Sequence, residues 1–248
     1  MRHDAMKAAL LLCAALLLPA APAAAGEVRA AVAANFTSAA QEIARAFEAA
    51  SGHRVILSFG ATGQLFTQIT QGAPFDVFLA ADRTRPARAV DEGYAVAGTQ
   101  RTYATGRLVL YSREPGVVTG PESLRQGRLD RIAIANPLTA PYGAAAVEAM
   151  EALGVMEAVK DRIVQGTSIT QTYQFVATGN AAAGFVALSQ VAGVEGGSRW
   201  LVPAELHAPI AQDAVLLSGA ADPGAARAFL DFLVAPEGRA IVARYGYD

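Results

Sequence analysis

The chain has 248 residues, a formal net charge of −2 from 20 basic and 22 acidic side chains, and one cysteine. With no polybasic segment, this balance argues against nucleic acid or an anionic membrane surface as partner. Cys13 falls in a leader-like stretch, so the remaining chain offers no disulfide, no thiol nucleophile and no cysteine zinc site.

Arg2 and Lys7 precede an apolar run from Ala8 to Leu18, after which Pro19 and small residues lead to Ala23-Ala24-Ala25. This is the pattern of a secretory signal with an A-x-A cleavage site before Gly26, and the run is too short to span a bilayer. Residues 1–25 are therefore expected to be a signal peptide and the rest an exported, soluble protein. Cys13 lies where the hydrophobic stretch has barely begun, which argues against lipid attachment. Residues 26–248 can bury one large core or two modest ones.

Val28 to Ala34 is mostly apolar and reads as a buried first strand. Asn35-Phe36-Thr37-Ser38 interrupts it, and Ala40, Ile43, Ala44, Phe47 and Ala50 then recur with helical spacing. Asn35, Thr37 and Ser38 are candidate caps for that helix. A second strand beginning at Arg54 ends in Gly60-Ala61-Thr62-Gly63, followed by a helix over Gln64–Thr70. Phe75 to Leu79 is a third strand and Thr84 to Glu92 a third helix. Three strand-helix units in succession predict a parallel sheet with helices on both faces. In such sheets a ligand lies beyond the carboxyl ends of the strands, where Asn35, Thr62 and Asp82 fall.

Leu108 to Ser112 is the next strand and Pro121 to Gln126 a short helix. The buried strand Ile132–Ala135 runs into Asn136-Pro137-Leu138-Thr139-Ala140-Pro141-Tyr142-Gly143, and a helix follows from Ala144 to Leu153. Met156 to Asp161 reads as a small helix and Ile163 to Gln165 as a short strand. Gly166-Thr167-Ser168 opens a helix over Ile169–Thr178. Gly184–Leu188, Arg199–Val202 and Ile210–Leu217 are strands, and Ala225–Leu233 and Pro236–Arg244 closing helices. The pattern predicts an α/β protein of two lobes joined by two crossings, lobe I from residues 26–106 and 213–248 and lobe II from residues 107–212.

Four of these turns stand at helix N-termini, where orphan N–H groups and the helix dipole favour an anion. None contains a lysine or arginine. The Gly60–Gly63 turn lacks the Lys and Ser/Thr of a nucleotide phosphate loop. His53 and His207 read as surface residues without metal-ligand spacing, and Ser58, Ser112, Ser168 and Ser189 lack a G-x-S-x-G elbow. Asp76, Asp82 and Asp91 read as caps or hinge hydrogen bonders. An exported hydrolase assembled from distant residues stays open as a different class, with no candidate set pointing to it. The coherent reading is a receptor that encloses an anion with hydroxyls and amides.

Five segments, Ala33-Ala34-Asn35-Phe36-Thr37, Ser58-Phe59-Gly60-Ala61-Thr62-Gly63, Gly72-Ala73-Pro74-Phe75-Asp76-Val77-Phe78, Asn136-Pro137 with Ala140-Pro141-Tyr142-Gly143, and Gly184-Phe185-Val186-Ala187-Leu188, closely resemble the periplasmic molybdate-binding proteins of bacterial uptake transporters. The resemblance spans essentially the whole mature chain. It implies the two-lobed periplasmic solute-binding fold of type II, with mixed sheets flanked by helices and a cleft between lobes that closes by hinge motion. It further implies a non-catalytic, monomeric receptor for molybdate or tungstate that delivers the oxyanion to a membrane permease driven by an ATPase. No cofactor is implied, and the metal enters only as oxyanion, without direct metal ligands.

Carried over by position, the ligand contacts fall on Asn35, the Thr62 hydroxyl and the backbone N–H groups of Tyr142 and Ile169, with Ala34, Ala61, Ser168 and Ala187 as further contacts. One departure stands out: many members carry a tyrosine at the position of Ala187, whose phenol binds the anion. The amide of Asn35 is expected to supply a donor in its place, and Tyr142 to fill part of the lost volume. A receptor for sulfate or another tetrahedral oxyanion is the alternative, since selection among such anions rests on cavity size.

Overall fold

The computed structural model describes residues 25–127 and 129–248. The expected signal peptide lies, but for Ala25, outside the described residues. In chain order the strands are β1 (Glu27–Ala33), β2 (Arg54–Gly60), β3 (Val77–Leu79), β4 (Arg101–Gly106), β5 (Leu108–Ser112), β6 (Ile132–Ala135), β7 (Ile163–Gly166), β8 (Ala183–Ala187), β9 (Ser198–Leu201) and β10 (Ile210–Leu216). They form two five-stranded sheets, ordered β2-β1-β3-β10-β4 and β7-β6-β8-β5-β9. In the first, β1 runs parallel to β2 and β3, and β10 runs antiparallel to β3 and β4. The second repeats the plan, with β6 parallel to β7 and β8, and β5 antiparallel to β8 and β9.

The parallel strands are covered on both faces, which explains their near-continuous apolar runs. Val28 and Ala30 to Ala33 of β1 and all of β6 are buried. The helices are α1 (Thr37–Ser51), α2 (Thr62–Thr70), α3 (Thr84–Asp91), α4 (Glu122–Arg125), α5 (Pro141–Ala152), α6 (Met156–Val159), α7 (Ile169–Ala177), α8 (Leu188–Val191), α9 (Pro223–Val234) and α10 (Pro236–Arg244). On the first sheet, α1 buries Ala40, Ile43 and Phe47 beside Phe229 and Leu233 of α9, with Phe47 and Phe229 edge to face at 5.3 Å. A second core joins Leu108, Leu110, Ile132, Ile134, Met150 and Phe185, and continues through Ala140, Tyr142 and Ile169 to Ala33, Ala34 and Ala61 of the other lobe. The lobes are thus packed together at the carboxyl ends of their parallel strands.

Two sequence expectations change. The return crossing lies between Leu201 and Ile210, ahead of the boundary expected at residue 213, because Ile210, Ala211 and Gln212 already pair with β4. None of Asn35, Thr37 or Ser38 caps α1. A 3-10 turn, Ala34–Phe36, precedes that helix; the Thr37 hydroxyl donates back to the Ala34 carbonyl, and the Asn35 side chain turns into the protein interior. The three aspartates also separate: Asp91 is exposed at the last residue of α3. Asp76 is buried and accepts the N–H groups of Arg29 and Ala221, whereas Asp82 accepts the N–H of Arg85 at the start of α3.

Candidate functional site

Four segments carry the chain from a parallel strand to a helix at the interface between the lobes. β1 passes into the Ala34–Phe36 turn, β2 through Ala61 into α2, β6 through residues 136–140 into α5, and β7 through Thr167 and Ser168 into α7. Each helix leaves its first N–H groups without partners inside the helix. A small cavity, with about 200 Å³ unfilled by atoms, lies where these N-termini meet. Such a space suits one compact guest and excludes a sugar or nucleotide.

Ala34, Asn35, Ala61, Thr62, Tyr142 and Ile169 all line this cavity. Thr62 is the first residue of α2, two positions earlier than the sequence places that helix, and is 1% exposed. Its hydroxyl oxygen accepts the Ala81 N–H at 3.0 Å, which leaves its own hydrogen free to donate. Pro141 opens α5 without an N–H, so Tyr142 carries the first donor of that helix. Ile169 opens α7 behind the cap Ser168.

The other two expected contacts, Ser168 and Ala187, are not among the lining residues. Ser168 accepts the Gln171 N–H at 3.3 Å as the cap of α7, and it is not among the residues lining the cavity. Ala187 is fully buried at the end of β8, also away from the lining, and donates its N–H to Gln190 Oε1 at 3.0 Å. Gln190 Nε2 in turn donates to the Ile169 carbonyl at 3.1 Å. Gln190, which the sequence did not single out, therefore braces the first turn of α7.

The Asn35 side chain is engaged within the protein. Both hydrogens of its amide are committed, one to Gln212 Oε1 and one to the Tyr247 hydroxyl, each at 3.0 Å. The side chain is an anchor, and the donors that this turn can turn toward a guest are backbone N–H groups. Gln212 also accepts from the Tyr103 hydroxyl at 3.1 Å and donates to the Tyr142 hydroxyl at 3.3 Å. Gln212, Tyr103 and Tyr247 lay beyond sequence reasoning because their link to Asn35 crosses as many as 212 residues.

No carboxylate, lysine, arginine or histidine lines the cavity. Burial pushes the phenols of Tyr103, Tyr142 and Tyr247 above their ordinary value, so these hydroxyls stay neutral. Unfolded chains lose phenol protons above about pH 10 that the folded chain retains. Stability is therefore expected to be insensitive to these groups below about pH 10 and to fall as pH rises further. Urea unfolding between about pH 8 and pH 11 checks this, and a midpoint that holds constant through the alkaline range would contradict it.

Direct hydrogen bonds hold the lobes shut around the cavity. The Gly63 N–H donates to the Thr139 carbonyl at 2.8 Å, Arg85 Nη2 to the Leu138 carbonyl at 2.9 Å, and the Ser189 hydroxyl to the Asn35 carbonyl at 2.9 Å. Among the described residues, Thr139 Oγ1 is the one buried side-chain polar atom without a partner.

A family model of bacterial extracellular solute-binding proteins matches residues 28–248. The chain belongs to that family. The molybdate-binding protein ModA of Rhodobacter capsulatus is 57% identical over 226 residues, 91% of this chain and 90% of the relative. ModA of Azotobacter vinelandii is 50% identical over 247 residues, 98% of this chain and 95% of the relative. The solved structure of a periplasmic molybdate-binding protein from Azotobacter vinelandii superposes with a TM-score of 0.87 at 36% identity, covering 89% of this chain and 98% of that one. The two-lobed solute-binding fold expected from the sequence is thereby established, and with it a receptor role rather than catalysis.

Proposed function

We propose that this solute-binding protein is the molybdate receptor of an ATP-driven uptake transporter, and that it also takes tungstate. The observation that carries this reading is the small cavity at four helix N-termini, lined by neutral groups only. A tetrahedral dianion there accepts from the Thr62 hydroxyl and from the backbone N–H groups of Asn35, Tyr142 and Ile169, with Ala34 and Ala61 shaping the wall. Hydrogen bonds to a charged group contribute about 1.5 to 3 kcal/mol each, and the helix dipoles offset the charge without a cation. The relatives named for molybdate binding support the choice of anion. A smaller tetrahedral anion of equal charge leaves some of the fixed donors unsatisfied, which disfavours sulfate.

Residues 1–25 direct export and are removed, and the mature protein works as a periplasmic monomer that presents the anion to a membrane permease. Among the described residues no helix is long and apolar enough to cross a membrane. Titration calorimetry of the mature protein tests the reading. One molybdate or tungstate per chain is expected to bind, with sulfate and phosphate far weaker. Absence of binding heat with both metal oxyanions, or a preference for sulfate, would overturn it.

A further inference from the structure

The segment after α10 reaches back into the interface between the lobes. Gly246 adopts a left-handed conformation (φ 77°), and Asp248 then pairs through its backbone with Thr105 of β4, N–H to carbonyl in both directions at 2.7 and 3.1 Å. Tyr247 between them is 5% exposed. Its ring meets Phe36 edge to face at 5.3 Å, and Phe36 meets Tyr103 likewise at 4.8 Å. The Tyr247 hydroxyl accepts from Asn35 Nδ2 and lies 2.7 Å from the Asn35 carbonyl and 3.0 Å from the Ser189 hydroxyl. One tyrosine thus touches both the first turn of lobe I and the start of α8 in lobe II.

A second link crosses at the same level. Tyr142 projects from α5 of lobe II until its hydroxyl accepts from Gln212 Nε2 on β10 of lobe I. It lies so close to Gly106, the last residue of β4 before the crossing to β5, that a Cβ there would overlap the Tyr142 hydroxyl and approach Gln212 Nε2 to 2.7 Å. Gln212 and Tyr247 share Asn35, one on each amide hydrogen. The chain Tyr142–Gln212–Asn35–Tyr247–Ser189 therefore begins and ends in lobe II and passes through lobe I. Separating the lobes breaks it at both ends.

We propose that Tyr247 and Gln212 are positioning residues that act through Asn35, and that residues 246–248 form a strap locking the lobes shut over the bound anion. The strap contacts no ligand. It sets how long the closed state lasts and how firmly the Ala34–Phe36 turn presents its N–H groups. This inference rests on the anion-receptor reading for its ligand, but its conformational content stands without it.

The test uses the mature chain, whose lack of cysteine lets fluorophores be placed on Gln41→Cys in lobe I and Glu157→Cys in lobe II. Interlobe distance is read by energy transfer with and without molybdate, alongside the molybdate release rate and the melting temperature. Tyr247→Phe keeps the ring packing and removes the hydroxyl, Ser189→Ala removes the far anchor from lobe II, and Gly106→Ala crowds out the Tyr142 hydroxyl. Each is expected to release molybdate about tenfold faster, the effect of roughly one hydrogen bond, and to lengthen the mean interlobe distance in anion-free protein. Melting temperatures should stay within about 8 °C of the parent.

Parent-like release and distance in Tyr247→Phe would overturn the strap; if that variant does not fold, parent-like release and distance in Ser189→Ala and Gly106→Ala would overturn it instead. If the parent itself binds no molybdate, the receptor reading fails, and the anion-free interlobe distances still decide for or against the strap.

Discussion

Gly143→Ala is expected to weaken molybdate binding about a hundredfold or more, the largest single effect in the site. A Cβ on Gly143 would overlap the Ala135 carbonyl oxygen and stand 2.7 Å from the Ala135 carbonyl carbon and 3.0 Å from that of Asn136. All three are backbone atoms at the end of β6, so no side-chain rotation relieves the overlap and the first turn of α5 must move. Tyr142 moves with it, taking its N–H away from the anion and its phenol away from Gln212. Gly193 has open space where a Cβ would stand, and Gly193→Ala should bind as the parent does. Calorimetric titration of both variants checks the pair. Parent-like affinity in Gly143→Ala would show that the N-terminus of α5 takes no part in binding.

Thr62→Val is expected to raise the molybdate Kd about ten- to a hundredfold, equivalent to roughly 1 to 3 kcal/mol. Valine preserves the volume of a side chain that is 1% exposed but removes the hydroxyl hydrogen proposed to donate to the anion. It also leaves the buried N–H of Ala81 without its acceptor, so the melting temperature should fall as well. Thr62→Ser keeps the hydroxyl and with it both hydrogen bonds, and should restore most of the affinity and of the melting temperature. Equal dissociation constants for Thr62→Val and the parent would remove Thr62 from the ligand set.

The parts of the site that can be read from the sequence are those in which local chain chemistry decides the outcome. A strand that ends in Gly60-Ala61-Thr62-Gly63, or a proline at position 141 ahead of an alanine-rich helix, marks a helix N-terminus wherever it occurs. Four such turns without a cation are the ground for proposing an anion seat. Asn35 shows the limit of this reasoning. Its sequence position suits a cap or a ligand amide, yet its two hydrogens go to Gln212 and Tyr247, 177 and 212 residues away. Those bonds are buried with their partners, so tertiary context outweighs the local capping preference. The return crossing escaped for a related reason. Strand β10 alternates only loosely, and its pairing with β4 shifts register between Gln212 and Asp213, where Asp213 turns to accept from Gln100 and Thr102.

The central claim is that a metal oxyanion sits between the lobes on neutral donors, and locating the metal tests it most directly. Crystals of the mature protein grown with molybdate, measured on both sides of the molybdenum absorption edge, should show one anomalous scatterer per chain in the cavity between Thr62, Tyr142, Asn35 and Ile169. Its oxygens should lie within about 3 Å of the Thr62 hydroxyl and of the backbone nitrogens of the other three. A scatterer bound at the charged groove of Asp82, Arg83 and Arg85, or none on the protein at saturating molybdate, would contradict the account.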